Sequence, residues 1–157
     1  MKAKDVMIPM QDYLSPNSNI KQAVNLLRTA ARGQQIMGVM GLPVIDEHKK
    51  LVGMLSMTDI LKAAYPCYMR MMDLGEFAWD GMLESLTREE GTKKVKEIMT
   101  SPVITVHEDY PLMECVDLLL KNHIRRMPVL DKTGKVIGML YMRDIFFAVT
   151  QSMIEDK

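Results

Sequence analysis

Residues Lys135–Ile145 read KVIGMLYMRDI, and residues Lys50–Ile60 read KLVGMLSMTDI. The two stretches lie 85 residues apart and agree at seven of eleven positions. Leu51/Val136 and Val52/Ile137 are conservative exchanges, whereas Ser56/Tyr141 and Thr58/Arg143 are not. An apolar, β-branched run that passes through Ser or Tyr into Asp-Ile reads as a strand followed by a helix. A chain that writes this unit twice is built from two copies of one supersecondary pattern.

The duplication extends upstream. Pro43-Val44 matches Pro128-Val129 and Asp46 matches Asp131 at the same offset of 85. Before that the offset becomes 92: Val6-Met7 aligns with Ile98-Met99, and Ile20, Val24 and Leu27 align with Leu112, Val116 and Leu119. The first copy therefore carries seven extra residues within RTAARGQQIMGVMGL, which has no clear period and reads as a loop, or as an extended helix end plus a loop. Each copy has the same order. An extended segment comes first, clearest as SPVITV at Ser101–Val106. A helix follows, capped by Asn19 or Ser18 in copy one, and capped by Asp109 and opened by Pro111 in copy two. Next come a strand (LPVID or MPVLD), a turn (EHKK or KTGK, where Gly134 supplies positive φ), a second strand and a final helix. The pattern is β-α-β-β-α, twice, in the α/β (α+β) class. A half of this size leaves one sheet face bare, so two halves packed sheet to sheet with pseudo-twofold symmetry are expected. The organisation read from the chain is 1–63 for repeat 1, 64–94 for a helical insert or linker, and 95–157 for repeat 2 with its C-terminal helix.

Bulk properties narrow the function classes. With 157 residues and 48% of them apolar, a real core is within reach. Twenty basic and 20 acidic residues give zero formal charge, so a global basic footprint for nucleic acid is absent. No apolar run approaches the roughly 20 residues needed to span a bilayer, and MKAKDVMIPMQDY lacks the apolar core of a signal peptide. The two cysteines, Cys67 and Cys115, make no disulfide framework, which points to the reducing cytoplasm. His48, His107 and His123 are scattered, so neither a zinc site nor a cysteine nucleophile is expected, and no catalytic or metal-ligating residue is assigned. The 17 methionines include the pairs Met7/Met10, Met37/Met40, Met54/Met57 and Met139/Met142. Thioether pairs can hold Cu(I), but two of these pairs sit inside hydrophobic repeats, where Met serves as adaptable core filler.

The ordered repetition, the strand with Pro-Val-hydrophobic-Asp and the G-h-h-[S/T]-x-x-D-[I/L] ending resemble the cystathionine-β-synthase (CBS) domain. The resemblance covers residues 1–63 and 95–150 and implies a tandem CBS pair, or Bateman module. It implies further that the cleft between repeats takes an adenosine-type ligand: AMP, ADP, ATP or S-adenosylmethionine. Carried over by motif, Asp144 and Asp59 would accept from the ribose hydroxyls, with Ser56 and Tyr141 beside them. Val103 and Ile104 would lie along the adenine, walled by Met127 and Pro128 in copy two and by Leu42 and Pro43 in copy one. The chemistry is sound, because a carboxylate at a helix start can accept from two vicinal hydroxyls while the helix N-terminus favours the anionic end. Tyr141 departs from the Ser/Thr of the motif, and the first strand of copy one (Ile8-Pro9-Met10-Gln11, then Asp12) departs from Thr100-Ser101-Pro102-Val103. Arg126 and Arg143, in a basic neighbourhood with Lys121, His123 and Arg125, are the phosphate candidates against a plain solvated face.

Residues 64–94 read as one or two short helices, stopped by Gly91, that pack on the module or on a partner; Met69, Met72, Phe77 and Trp79 are too apolar for a free linker. The expectation is a stand-alone regulatory homodimer, not an enzyme, in which two modules form a flat disc of four repeats. It needs no cofactor and takes an adenine nucleotide or S-adenosylmethionine as effector. Occupancy would be signalled by shape or assembly to a regulated protein partner, without nucleic acid or membrane. The alternative is a ligand-free dimeric scaffold or interaction subunit.

Overall fold

A computed structural model of the chain describes residues 1–32, 35–36, 38–65 and 81–155. Its elements, in chain order, are α1 (Ala3–Val6), β1 (Ile8–Pro9), α2 (Ile20–Thr29), β2 (Ala31–Arg32), β3 (Gln35–Ile36), β4 (Gly41–Ile45), β5 (Leu51–Ser56) and α3 (Met57–Ala64), then α4 (Met82–Glu90), α5 (Val95–Ile98), β6 (Val106–His107), α6 (Leu112–Lys121), β7 (Arg126–Leu130), β8 (Val136–Tyr141) and α7 (Met142–Ile154). The fold is mixed α/β, with the strand-helix-strand-strand-helix order present twice.

The chain divides into two compact units, and neither coincides with one sequence repeat. One contains Met1–Gln11, Lys49–Leu51 and Val103–Lys157; the other contains Asp12–His48 and Val52–Pro102. Part of the opening of each repeat has been exchanged. In the unit built on repeat 2, the sheet order is β1-β8-β7-β6. Ile8 pairs with Met139 antiparallel, and Val106 pairs with Val129 in parallel. In the unit built on repeat 1, Thr100 bridges Met54 antiparallel, β5 neighbours β4, and Leu14 bridges Val44 in parallel. These partners are equivalent under the offsets of 92 and 85, so the two units have the same internal order. The opening of each repeat is thus divided: Ile8 and Thr100 fill the outer position of the other copy's sheet, while Leu14 and Val106 pair within their own copy.

The cores follow the exchange. One cluster gathers Ile20, Leu27, Val44, Leu55 and Ile60 with Val95 from the start of repeat 2. The other gathers Leu112, Leu119, Val129, Leu140 and Ile145 with Ala3 from the start of repeat 1. The helical pattern of copy one is realised in α2, where Ile20, Ala23 and Leu27 are buried. Asn19 caps it as expected, accepting from the Gln22 amide at 2.8 Å while Gln22 returns to the Asn19 amide at 3.0 Å.

Three local expectations need correction. Pro111, not Asp109, is the N-cap of α6; the Asp109 carboxylate lies too far upstream to reach the first turn and instead pairs with Lys4 Nζ at 3.0 Å. The extra residues of copy one do not lengthen the helix, since α2 and α6 have ten residues each; they form the antiparallel ribbon β2–β3. Of SPVITV only Val106 enters a strand. In the insert, α4 ends at Glu90 with Gly91 as its cap, in agreement with the reading, while Pro66, Cys67, Met69, Met72, Phe77 and Trp79 lie outside the described residues, as does Met37. Among the described residues no helix is long and apolar enough to cross a membrane.

Candidate functional site

The repeated strand-to-helix junction sets two carboxylates in equivalent places. Ser56 ends β5 in extended geometry and becomes the N-cap of α3; Asp59 is the third residue of that helix. The Asp59 amide donates to Ser56 Oγ at 3.1 Å, and Asp59 Oδ2 accepts from the Ser56 amide at 2.9 Å and from Ser56 Oγ at 3.0 Å. This capping box stabilises the helix start by about 1 kcal/mol and fixes the carboxylate. Its other oxygen, Oδ1, accepts from Thr100 Oγ1 at 2.8 Å. Asp59 also lines an open cleft of about 490 Å³ with Lys62, Ala63, Lys93, Glu97 and Ile98. Lys93 is engaged there: its Nζ lies 3.0 and 2.9 Å from the two carboxylate oxygens of Glu90, a residue only 7% exposed. That carboxylate raises the affinity of Lys93 for its proton.

The second junction has Tyr141 as the N-cap of α7 and Asp144 in its first turn, with no side-chain cap at Tyr141. The β7–β8 register sets Arg126 directly opposite Tyr141. Facing residues on an antiparallel pair share one side of the sheet, so the ladder brings together Arg126 and Tyr141, three residues before Asp144. All three are partly buried. Arg143 is set apart from them: it is exposed, and its guanidinium lies over the Phe147 ring at 5.5 Å from the centroid.

The expected adenine walls are core residues. Met127 is 0% and Leu42 4% exposed, and Pro43 and Pro128 rank among the fully buried side chains. β4 is buried along its whole length, and β7 at its three central residues. In this structure these four side chains are enclosed by their own units. Val103 and Ile104 are partly buried, with Ile104 packed on the second core. Ser56 and Asp59 belong to one unit, and Tyr141, Asp144, Arg126, Arg143, Val103 and Ile104 to the other. Sequence reasoning missed Thr100 as a partner of Asp59, because the motif alignment assigned that residue to its own copy. It missed Lys62 and Lys93 as well, although Lys62 follows Asp59 by three residues and so shares its helix face.

Among the described residues no group of three or more His, Cys, Asp or Glu side chains is arranged to hold a metal ion. Cys115 is buried, which raises its thiol pKa.

Comparison with known proteins identifies relatives of this architecture. The family model described as CBS domain matches residues 3–65 and 95–151. The chloroplastic CBS domain-containing protein CBSX2 of Arabidopsis thaliana is 30% identical over 156 residues, which cover 94% of this chain and 63% of CBSX2. Inosine-5'-monophosphate dehydrogenase of Methanocaldococcus jannaschii is 30% identical over 144 residues, 92% of this chain but 23% of the dehydrogenase. The chain thus spans under two thirds of CBSX2 and about a quarter of the dehydrogenase. The crystal structure of CBSX2 superimposes with a TM-score of 0.74 at 28% identity, covering 98% of this chain and 97% of that one. CBSX2 in complex with AMP gives 0.67 at the same identity, covering 97% and 98%. The chain belongs to the CBS domain family and carries two CBS repeats, a tandem CBS pair.

Proposed function

We propose that this CBS pair is a regulatory module that binds an adenosine-type ligand, AMP foremost, and passes its occupancy on through a change of shape or assembly. The observation that carries the reading is Asp59, a carboxylate fixed at a helix start beside a cleft that also presents Lys62 and Lys93. The cleft has the volume of a small-molecule site, roughly 300–1,000 Å³. The carboxylate suits a ribose diol and Lys62 suits a phosphate, whereas Lys93 is held by Glu90. Asp144, with Arg126 and Tyr141 nearby, offers a second carboxylate with a guanidinium in reach of the same strand pair. The complex of CBSX2 with AMP supports the ligand class. The module acts by binding; the match to the dehydrogenase is confined to 23% of that enzyme and brings no activity with it.

Calorimetric titration with AMP, ATP and S-adenosylmethionine tests the reading. Removing a carboxylate that holds two ribose hydroxyls forfeits charge-assisted hydrogen bonds worth about 1.5–3 kcal/mol each, so Asp59→Ala or Asp144→Ala lowers affinity at least tenfold. Arg126→Ala weakens AMP more than adenosine, and the difference shrinks as salt rises. If both carboxylate variants bind AMP like the parent, the ribose assignment is wrong. A parent chain that binds none of the three ligands supports a second reading, a dimeric scaffold without effector, which is favoured by the engagement of Asp59 with Ser56 and Thr100.

A further inference from the structure

We propose that Thr100 is an internal competitor for the ribose position at Asp59, a hydroxyl latch that ligand binding must open. The proposal rests on the adenosine-ligand reading above and adds a regulatory element to that site. Asp59 accepts three side-chain or capping bonds: two on Oδ2 from Ser56, at 2.9 and 3.0 Å, and one on Oδ1 from Thr100, at 2.8 Å. An ionised carboxylate has about four lone-pair positions. A ribose diol needs two of them, so one resident donor has to leave.

Chemistry selects which one. The Ser56 contacts span three residues and include a backbone N–H locked into the helix cap. The Thr100 contact joins residues 41 apart in sequence, from an exposed position, through a hydroxyl that needs only a rotation about χ1 to let go. Thr100 itself stays in place, because its amide and carbonyl exchange bonds with Met54 at 2.8 and 3.0 Å. The diol therefore displaces the one hydroxyl that ties Asp59 to residues 95–102.

That segment is the start of repeat 2 and follows α4 directly. Its neighbours are also tied to α2, with Ile20 N donating to Lys93 O at 2.8 Å and Lys21 N to Gly91 O at 3.1 Å. Opening the latch loosens the hold of α3 on the stretch that joins the two repeats, which gives occupancy of Asp59 a route along the chain. The residue equivalent to Thr100 is Ile8, which has no hydroxyl to offer, so the two repeats differ at this position.

The test is calorimetry with AMP on the full chain carrying Thr100→Val or Thr100→Ser, each in an Asp144→Ala background so that the heat reports the Asp59 site. Thr100→Val keeps the branched shape and removes the competing donor; it tightens AMP about three- to tenfold, whereas Thr100→Ser binds like the parent. With 2',3'-dideoxy-AMP as the probe, which has no diol to compete, Thr100→Val brings no gain. Weaker AMP binding by Thr100→Val would show that the hydroxyl holds the ligand, and unchanged binding would show that the contact carries no weight; either result overturns the latch. If Asp59→Ala in the same background leaves AMP affinity unchanged, the ligand is not on Asp59, and it is the functional reading that falls, independently of Thr100.

Discussion

At the scale of single residues, the exchanged openings are held by charges as well as by strands. The carboxylate of Asp109 lies 3.0 Å from Lys4 Nζ and 3.8 Å from Lys2 Nζ. It thereby ties the first helix of the chain to the loop ahead of α6, a link reinforced by Ala3 N donating to Tyr110 O at 2.9 Å. The hydrogen bond from Lys4, followed by its charge, lowers the pKa of Asp109 below 3.8, and the same contact raises that of Lys4 above 10.5. The signs define a window. A depressed carboxylate stabilises the fold above its ordinary value and loses that contribution as pH falls through the lowered one; a raised lysine stabilises below its ordinary value and loses it as pH rises through the raised one. Melting curves of the parent and of Asp109→Asn should therefore differ by a small margin at neutral pH, as fits an exposed pair. The gap should close in acid below pH 3.8 and again in base above 10.5. A gap that persists at low pH would mean that the ion pair is not what Asp109 contributes.

At the scale of elements, the glycine of the repeated G-M-L has a specific task. Gly53 and Gly138 are equivalent, and each lies on the second strand of its repeat where the exchanged segment crosses. A Cβ on Gly138 would come within 2.8 Å of Ile8 O, and one on Gly53 within 2.5 Å of Met99 Sδ and 3.1 Å of Thr100 O. A backbone carbonyl must move with its strand, whereas a thioether turns aside. Gly138→Ala should therefore cost about 1–3 kcal/mol in denaturant unfolding, as overpacking does, and Gly53→Ala visibly less. Equal losses would mean that the two crossings are equally rigid. Much of this layer is legible in the sequence: the periodicity of Ile20, Ala23 and Leu27 announces α2, Asn19 its cap, and Gly134, with φ of 86°, the turn between β7 and β8. The exchange is not legible. It is made by backbone bonds such as Met10 N to Ile137 O and Met54 N to Thr100 O, which any side chain permits, and an alignment of copies sets each opening beside its own repeat. The same blindness hid Thr100 from the candidate site, since its hydroxyl reaches Asp59 of the other copy.

At the scale of the whole molecule, the repeat count and the family are readable from the ordered repetition of all the elements along the chain, while the assembly has to be inferred from what remains exposed. The C-terminal helix α7 buries Ile145 but leaves Phe146 58%, Phe147 55%, Val149 46%, Met153 75% and Ile154 78% exposed. Phe146, Val149 and Met153 recur at helical spacing, and so do Phe147 and Ile154, which makes an apolar surface wider than scattered single residues would. A solvated helix of this composition gains from burial about 25 cal/mol per Å² of apolar area, and Phe and Met are enriched at interface centres. The chain is therefore expected to form a homodimer through a surface that includes this helix. Light scattering at micromolar concentration should give about twice the 17.9 kDa of one chain. Met153→Glu and Ile154→Glu alter side chains that touch little within their own chain, so they should leave the melting of the monomer fold within about 0.5 kcal/mol of the parent, yet shift the mass towards one chain. A parent that scatters as a monomer defeats the expectation outright, and a dimer untouched by both glutamates moves the interface off α7.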